Sequence, residues 1–127
     1  MILLDTHVAL WLMAAPDRIG PEARARITDA PRVFFSAVTV VETSIKRMIG
    51  RLDVPADLGQ VLRDQGLTPL PLTDEHAVAL ERFPELARHD PFDRLLLAQA
   101  LVERCQLLTG DDRLLTLGHS WVIDAQT

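Results

Sequence analysis

Ile2-Leu3-Leu4-Asp5 decides the fold, because three consecutive aliphatic residues end abruptly on an acid. A strand with one wet face alternates apolar and polar side chains, whereas a strand covered on both faces reads as an unbroken apolar run. Four more short runs of this kind follow, at Val33 to Phe35, Leu70 to Leu72, Gln106 to Thr109 and Trp121 to Ile123. Helical patterns lie between them. Gly20-Pro21-Glu22 opens one that reaches about Asp29, and apolar side chains at 38, 41, 45, 48 and 49 mark another that Gly50 stops. A third covers about Ala56 to Gln65, Thr73 opens a fourth that stops near Pro84, and Asp90-Pro91 opens the last long one, to about Arg104. Strands alternating with helices predict an α/β fold, a three-layer α/β/α sandwich with a central, mostly parallel sheet and right-handed crossovers.

With 127 residues, 48% hydrophobic and 24% charged, the chain is expected to form one globular domain over 1–127 without disulfides or a structural metal. The single Cys105 lies among apolar neighbours and reads as a small core residue in a reducing cytoplasm. No apolar run approaches the ~20 residues of a membrane span. The opening run reaches Asp5 without a basic segment, unlike a signal peptide. A cytoplasmic protein away from membranes is expected. Net charge is −5, with twelve Arg and one Lys, Lys46. That balance argues against a stable nucleic-acid binder. It argues less against a metal nuclease, whose own carboxylates supply negative charge until a cation binds.

In an open parallel sheet, ligands bind beyond the carboxyl ends of the strands. Asp5 follows its apolar run directly, and Asp111 follows Leu107-Leu108-Thr109-Gly110, so both are expected at one edge. Each has a plainer reading: Asp5 as N-cap of a helix starting near Val8, Asp111 as a turn residue in Gly-Asp-Asp. Glu42 falls on the flank of the stripe Val38, Val41, Ile45 and Ile49, which points it at the core boundary. Its plainer reading is a pair with Lys46 at i, i+4. Asp90-Pro91-Phe92-Asp93 supplies an N-cap acid, an N1 proline and an acid that complements the helix dipole. Yet the helix beyond Asp93 is apolar on nearly every face, and a charge on a buried helix needs a partner.

If Asp5, Glu42, Asp93 and Asp111 meet, four carboxylates share one pocket, an arrangement that a divalent cation makes tolerable. Asp90 stands as an alternative ligand and Asp112 as an alternative to Asp111. Thr6 and Thr109 are placed to add hydroxyls or to hold the acids. His7 is a candidate to line the pocket or contact a phosphate, and His89 to position Asp90. His76 and His119 sit in polar, turn-like stretches and carry no role.

Hard oxygen ligands without paired Cys or His point to Mg²⁺ or Mn²⁺ over zinc. One or two such ions suit phosphodiester hydrolysis. Other designs fit worse: Gly50, Gly59 and Gly66 are isolated, no phosphate-cradling Gly-x-x-x-x-Gly-Lys is present, and no serine has a nucleophile-elbow context. A phosphoaspartyl mechanism on Asp5 would want an acid where His7 stands.

The stretches Ile2 to Trp11 (Ile-Leu-Leu-Asp-Thr-His-Val-Ala-Leu-Trp), Ser36 to Lys46 (Ser-Ala-Val-Thr-Val-Val-Glu-Thr-Ser-Ile-Lys), His89 to Ala100 (His-Asp-Pro-Phe-Asp-Arg-Leu-Leu-Leu-Ala-Gln-Ala) and Leu107 to Asp111 (Leu-Leu-Thr-Gly-Asp) resemble the PIN-domain ribonucleases. More closely, they look like the VapC-type toxins of toxin–antitoxin pairs. The resemblance runs through almost the whole chain, in order. It implies a PIN-like sandwich, Mg²⁺- or Mn²⁺-dependent endoribonuclease activity on RNA, a homodimer, and inhibition by a small antitoxin that commonly carries a DNA-binding part. Asp5, Glu42 and Asp93 match the first three family acids, and Asp111 and Asp112 both fit the fourth. Two other readings stand beside the endoribonuclease: a catalytically silent PIN-like protein-binding module, and a metal-dependent phosphatase or DNA nuclease.

Overall fold

Residues 1–127 are described by a computed structural model. Five strands, β1 (Ile2–Leu4), β2 (Val33–Ser36), β3 (Thr68–Leu70), β4 (Gln106–Thr109) and β5 (Val122–Asp124), form one sheet in the order β3-β2-β1-β4-β5. Every neighbouring pair is parallel. Seven helices connect them: α1 (Thr6–Ala14), α2 (Pro21–Asp29), α3 (Ala37–Met48), α4 (Leu58–Asp64), α5 (Asp74–Ala79), α6 (Pro91–Glu103) and α7 (Asp112–Thr116).

The unbroken apolar runs do what a doubly covered strand requires. Ile2 and Leu4 of β1 share one core with Phe35, Leu108 and the helices α1, α2 and α4, while Leu3 between them joins Phe34 and Leu107 in a second core against α5 and α6. Both faces are therefore buried, and the α/β/α sandwich follows. The chain runs outward from β1 through β2 to β3, then returns across the sheet to β4 on the other side of β1. The gap between β1 and β4 is thus a topological switch point, where the loops leaving two adjacent strands part to opposite faces and leave a crevice.

Three local expectations shift, and one short helix was not anticipated. β3 lies two residues earlier than Leu70 to Leu72 and includes Pro69, which has no N–H to donate; β3 is an edge strand paired only with β2, where that loss is tolerated. β5 starts one residue later than Trp121. α5 ends at Ala79 and passes into 3₁₀ turns at Leu80–Arg82 and Pro84–Leu86, well short of one continuous helix to Pro84. α7, five residues long, is below the length at which hydrophobic periodicity registers.

α3 brings the larger correction. Its buried side chains are Val38, Thr39, Glu42 and Thr43, whereas Val41, Ile45 and Ile49 are 49%, 45% and 61% exposed. Beyond Val38, which is buried, the apolar stripe that defined this helix in the sequence faces outward, and Thr39, Glu42 and Thr43 face in. Thr39 shares a hydrogen bond with Thr6 of α1 at 3.1 Å, and Thr43 Oγ1 donates to the Thr39 carbonyl at 2.8 Å, so the inward hydroxyls are satisfied.

Candidate metal centre

Asp5 caps α1. Its Oδ1 accepts from the Val8 amide at 2.8 Å, and its Oδ2 accepts from the Thr109 hydroxyl at the end of β4. The same Thr109 oxygen accepts from the Asp111 amide at 3.0 Å, so one side chain ties the acids leaving β1 and β4 together. Asp111 in turn caps α7 through Oδ1, which accepts from the Leu114 amide at 3.0 Å. Its Oδ2 lies 3.6 Å from His89 Nε2. The same imidazole nitrogen is 3.2 Å from Asp93 Oδ2, one turn along on α6. Ligand atoms of His89, Asp93 and Asp111 all lie within 4.8 Å of one another.

Topology explains the meeting. Asp5 and Asp111 flank the switch point on the strands that border it, and α6 carries Asp93 over the same edge because it feeds β4. Electrostatics record the crowding. Burial first, then the charges of Asp111, Asp90 and Asp5, push the Asp93 carboxyl up to about 8. Burial likewise raises Asp5, which is only 2% exposed, with the Thr109 and Val8 hydrogen bonds and His7 pulling the other way and Asp111 adding to the rise. No arginine or lysine pairs with Asp5, Asp93 or Asp111. The anionic cluster is short of positive charge.

Glu42 is placed differently. It is 3% exposed on the inward side of α3, which packs against both α1 and α6. Lys46 Nζ sits 2.6 Å from its Oε2, so the i, i+4 pair anticipated as the plainer reading is present. Oε1 is buried and accepts from nothing. No hydrogen bond or ion pair joins Glu42 to the other three acids. The crowded oxygens of Asp93 and Asp111, with Asp5 close enough to raise Asp93, are the hard donors a divalent cation takes, and the residues present fit Mg²⁺ or Mn²⁺; Glu42 adds a buried carboxylate oxygen without a partner on the inward side of α3.

The undecided positions separate cleanly. Asp112 is exposed and lies outside the cluster, and Asp90, also exposed, spends its Oδ1 on capping Phe92 and Asp93 amides. Thr6 turns to Thr39, away from the acids. His89 bridges Asp93 and Asp111; it does not position Asp90, and no sequence signal beyond its i, i+4 spacing to Asp93 marked that role. His7 does line a cleft with Asp5 and Asp111. His76 and His119 are misread by their polar surroundings. His76 is 1% exposed: Nδ1 accepts from the Thr73 amide at 3.1 Å and Nε2 meets Glu103 at 2.7 Å. His119 stacks on Trp121 with ring centres 5.1 Å apart. Both are packing residues. Cys105 is buried as expected, and burial raises its thiol.

A family model of the PIN domain matches residues 2–119. Ribonuclease VapC22 of Mycobacterium tuberculosis is 33% identical over 125 residues, covering 93% of this chain and 92% of that protein. The fold resembles a toxin–antitoxin complex from Klebsiella pneumoniae, with a TM-score of 0.67, 16% identity and 98% of each chain covered. It also resembles VapBC2 from Rickettsia felis bound to a DNA fragment from their promoter, with a TM-score of 0.65, 15% identity, and 93% of this chain and 94% of that one covered. The structural likenesses speak for the fold, and the family model with the 33% identical relative speaks for descent. No helix is long and apolar enough to cross a membrane. The matched span holds every acid placed around the switch point, and the chain belongs to the PIN-domain family.

Proposed function

We propose that this protein is a toxin-type endoribonuclease that hydrolyses RNA phosphodiester bonds with Mg²⁺ or Mn²⁺ held by Asp5, Asp93 and Asp111, with Glu42 as fourth acid. The observation that carries the reading is the convergence of three carboxylates from β1, β4 and α6 with no arginine or lysine among them and only the His89 imidazole between two of them, where burial and mutual repulsion raise the Asp93 carboxyl to about 8. When bound, the ion supplies a Lewis acid that activates water, neutralises a phosphate oxygen and stabilises the leaving oxygen. The chain supplies the rest. Thr109 fixes the Asp5 carboxylate, the helix amides of Val8 and Leu114 lock Asp5 and Asp111 in single orientations, and the loops leaving β1 and β4 hold the crevice open.

Kinship with a ribonuclease supports RNA as substrate, and the toxin–antitoxin complexes that share the fold support a cognate antitoxin. Val41, Ile45, Met48 and Ile49 form an outward apolar face on α3, with Met48 84% exposed, and this face supports a homodimer. A buried free cysteine accords with a cytoplasmic site of action.

The test is Asp5→Asn. Asparagine keeps the N-cap to Val8 but cannot accept from the Thr109 hydroxyl, so a stability loss of about 1 kcal/mol is expected with the fold retained. Mn²⁺-dependent cleavage of single-stranded RNA is expected to fall a hundredfold or more, since even losing a group that only holds a metal ligand in place costs about 10–100-fold. Parallel assays on DNA and on a phosphomonoester separate an RNase from a DNA nuclease or phosphatase. Unchanged cleavage in Asp5→Asn would reduce Asp5 to a helix cap.

A further inference from the structure

Beside the acids lies a cleft of about 240 Å³ lined by Asp5, His7, Trp11, Gly110 and Asp111. Two of its walls are carboxylates already assigned to metal. The other walls are aromatic, and helix geometry puts them there: His7 and Trp11 are four residues apart on α1, one turn above the other on the same face. His7 is exposed and Trp11 half-buried, so both rings remain reachable. The indole edge is pressed onto the loop between β4 and α7, because a Cβ built on Gly110 would lie 2.8 Å from Trp11 Cη2. Any side chain at 110 would push the indole off that loop. The Arg18 guanidinium lies over the same indole with its carbon 4.8 Å from the ring centre.

A ligand that fits these walls has an anionic group for the metal-bearing acids and a flat π-surface one step away. A nucleotide has both. We infer that the His7–Trp11–Gly110 cleft is a nucleobase-stacking subsite, in which the base next to the scissile phosphate of a single-stranded RNA stacks on Trp11 and extends the stack that Arg18 begins. The inference rests on the nuclease reading and deepens it. Stacking on an aromatic platform tolerates every base but requires an unpaired one, so the substrate class is single-stranded or looped RNA over duplex. Arg18 adds a positive charge at the edge of an otherwise acidic crevice, where an adjacent backbone phosphate would pass.

The experiment uses the Trp121→Phe protein, in which Trp11 is the remaining indole. Cleavage kinetics and indole fluorescence are measured on an RNA oligonucleotide and on copies carrying one abasic nucleotide at each position flanking the cut. One abasic position is expected to raise KM about tenfold with kcat little changed, the size of one lost base–aromatic stack. Adding Trp11→Leu, which keeps apolar volume without a ring, should raise KM by a similar factor on intact RNA and erase sensitivity to that abasic position. Trp11→Phe should retain the sensitivity. Intact RNA should quench the indole more than the abasic copy does. An abasic penalty that is the same with Leu at position 11, or no quenching on binding, overturns the inference while leaving the nuclease reading in place. Absence of cleavage in every metal sinks the nuclease reading, and quenching by intact RNA then still decides the subsite.

Discussion

Shifting the pH from 8 to 6 is the sharpest perturbation of this site. Asp93 carries a proton up to about pH 8 because it is buried and faces Asp111, Asp90 and Asp5. A metal ion takes the carboxylate form, so binding below that pH must expel the proton. Well below 8 each pH unit weakens binding about tenfold, or about 1.4 kcal/mol, and because the group is half protonated at pH 8 itself, Mn²⁺ affinity should drop about fiftyfold between pH 8 and pH 6 from this residue alone. The sign for the metal-free protein is opposite. A folded-state value raised above the ordinary carboxylate value of 3.8 makes the folded chain hold a proton that the unfolded chain has lost, so this contribution is fully present below about pH 4 and vanishes as pH rises through 8. The apo protein should lose stability over that window while the Mn²⁺ complex gains. Calorimetric titration at both pH values, in buffers of different ionisation heat, counts the protons released. Equal Mn²⁺ affinity at pH 6 and pH 8 with no proton release would refute the reasoning, and Asp93→Asn should flatten the slope.

Lys46→Met removes the ammonium 2.6 Å from a carboxylate that is 4% exposed, and should destabilise the apo protein by about 2 kcal/mol, less than a fully buried pair because the lysine is 38% exposed. Urea unfolding measures it; a second change, Glu42→Gln, should recover most of the loss, and Mn²⁺ should stabilise Lys46→Met more than the parent if Glu42 is a ligand. His76→Ala opens a cavity and strands the Thr73 amide and Glu103, for an expected loss of about 2–4 kcal/mol by the same measurement. Met48→Asp with Ile49→Asp should leave stability within about 0.5 kcal/mol, as for exposed positions, yet convert a dimer to a monomer in sedimentation. A monomeric parent would dissociate the apolar face of α3 from self-association.

The sheet was legible because its signal is strictly local: a doubly buried parallel strand needs an unbroken apolar run, and Ile2-Leu3-Leu4 and Leu107-Leu108 supply one at each border of the switch point. α3 was half legible. Periodicity located the helix and its stripe but not the direction the stripe faces, and burial of the stripe is a default that fails here, where Thr39, Glu42 and Thr43 turn inward and Val41, Ile45 and Ile49 lie outward. His76 was hidden for a different reason. It occupies the N3 position of a capping box opened by Thr73, where the signature expects Glu or Gln, and its second partner Glu103 is distant in sequence and becomes a neighbour only when α5 packs on α6. The bridging role of His89 needed Asp111, which approaches only through the tertiary fold.

The acids themselves show that a helix cap does not exclude a ligand. A carboxylate has two oxygens and about four lone-pair sites. Asp111 gives Oδ1 to the Leu114 amide and turns Oδ2 toward His89; Asp5 gives one oxygen to Val8 and the other to Thr109, with lone pairs left over on each. The cap is what makes each acid useful at the crevice, because a helix amide at about 3 Å holds the side chain in one rotamer while burial raises its demand for a cation. A strand that ends directly on a helix N-cap at a switch point therefore delivers an oriented anion to the sheet edge. Two adjacent strands that do so, with a third helix crossing over them, create a concentration of negative charge that the chain alone leaves unneutralised. On the proposed metal-nuclease reading the helix caps and the ligand atoms are the same carboxylates, and a substitution that keeps the cap while removing the charge, such as Asp5→Asn, is the change that separates them.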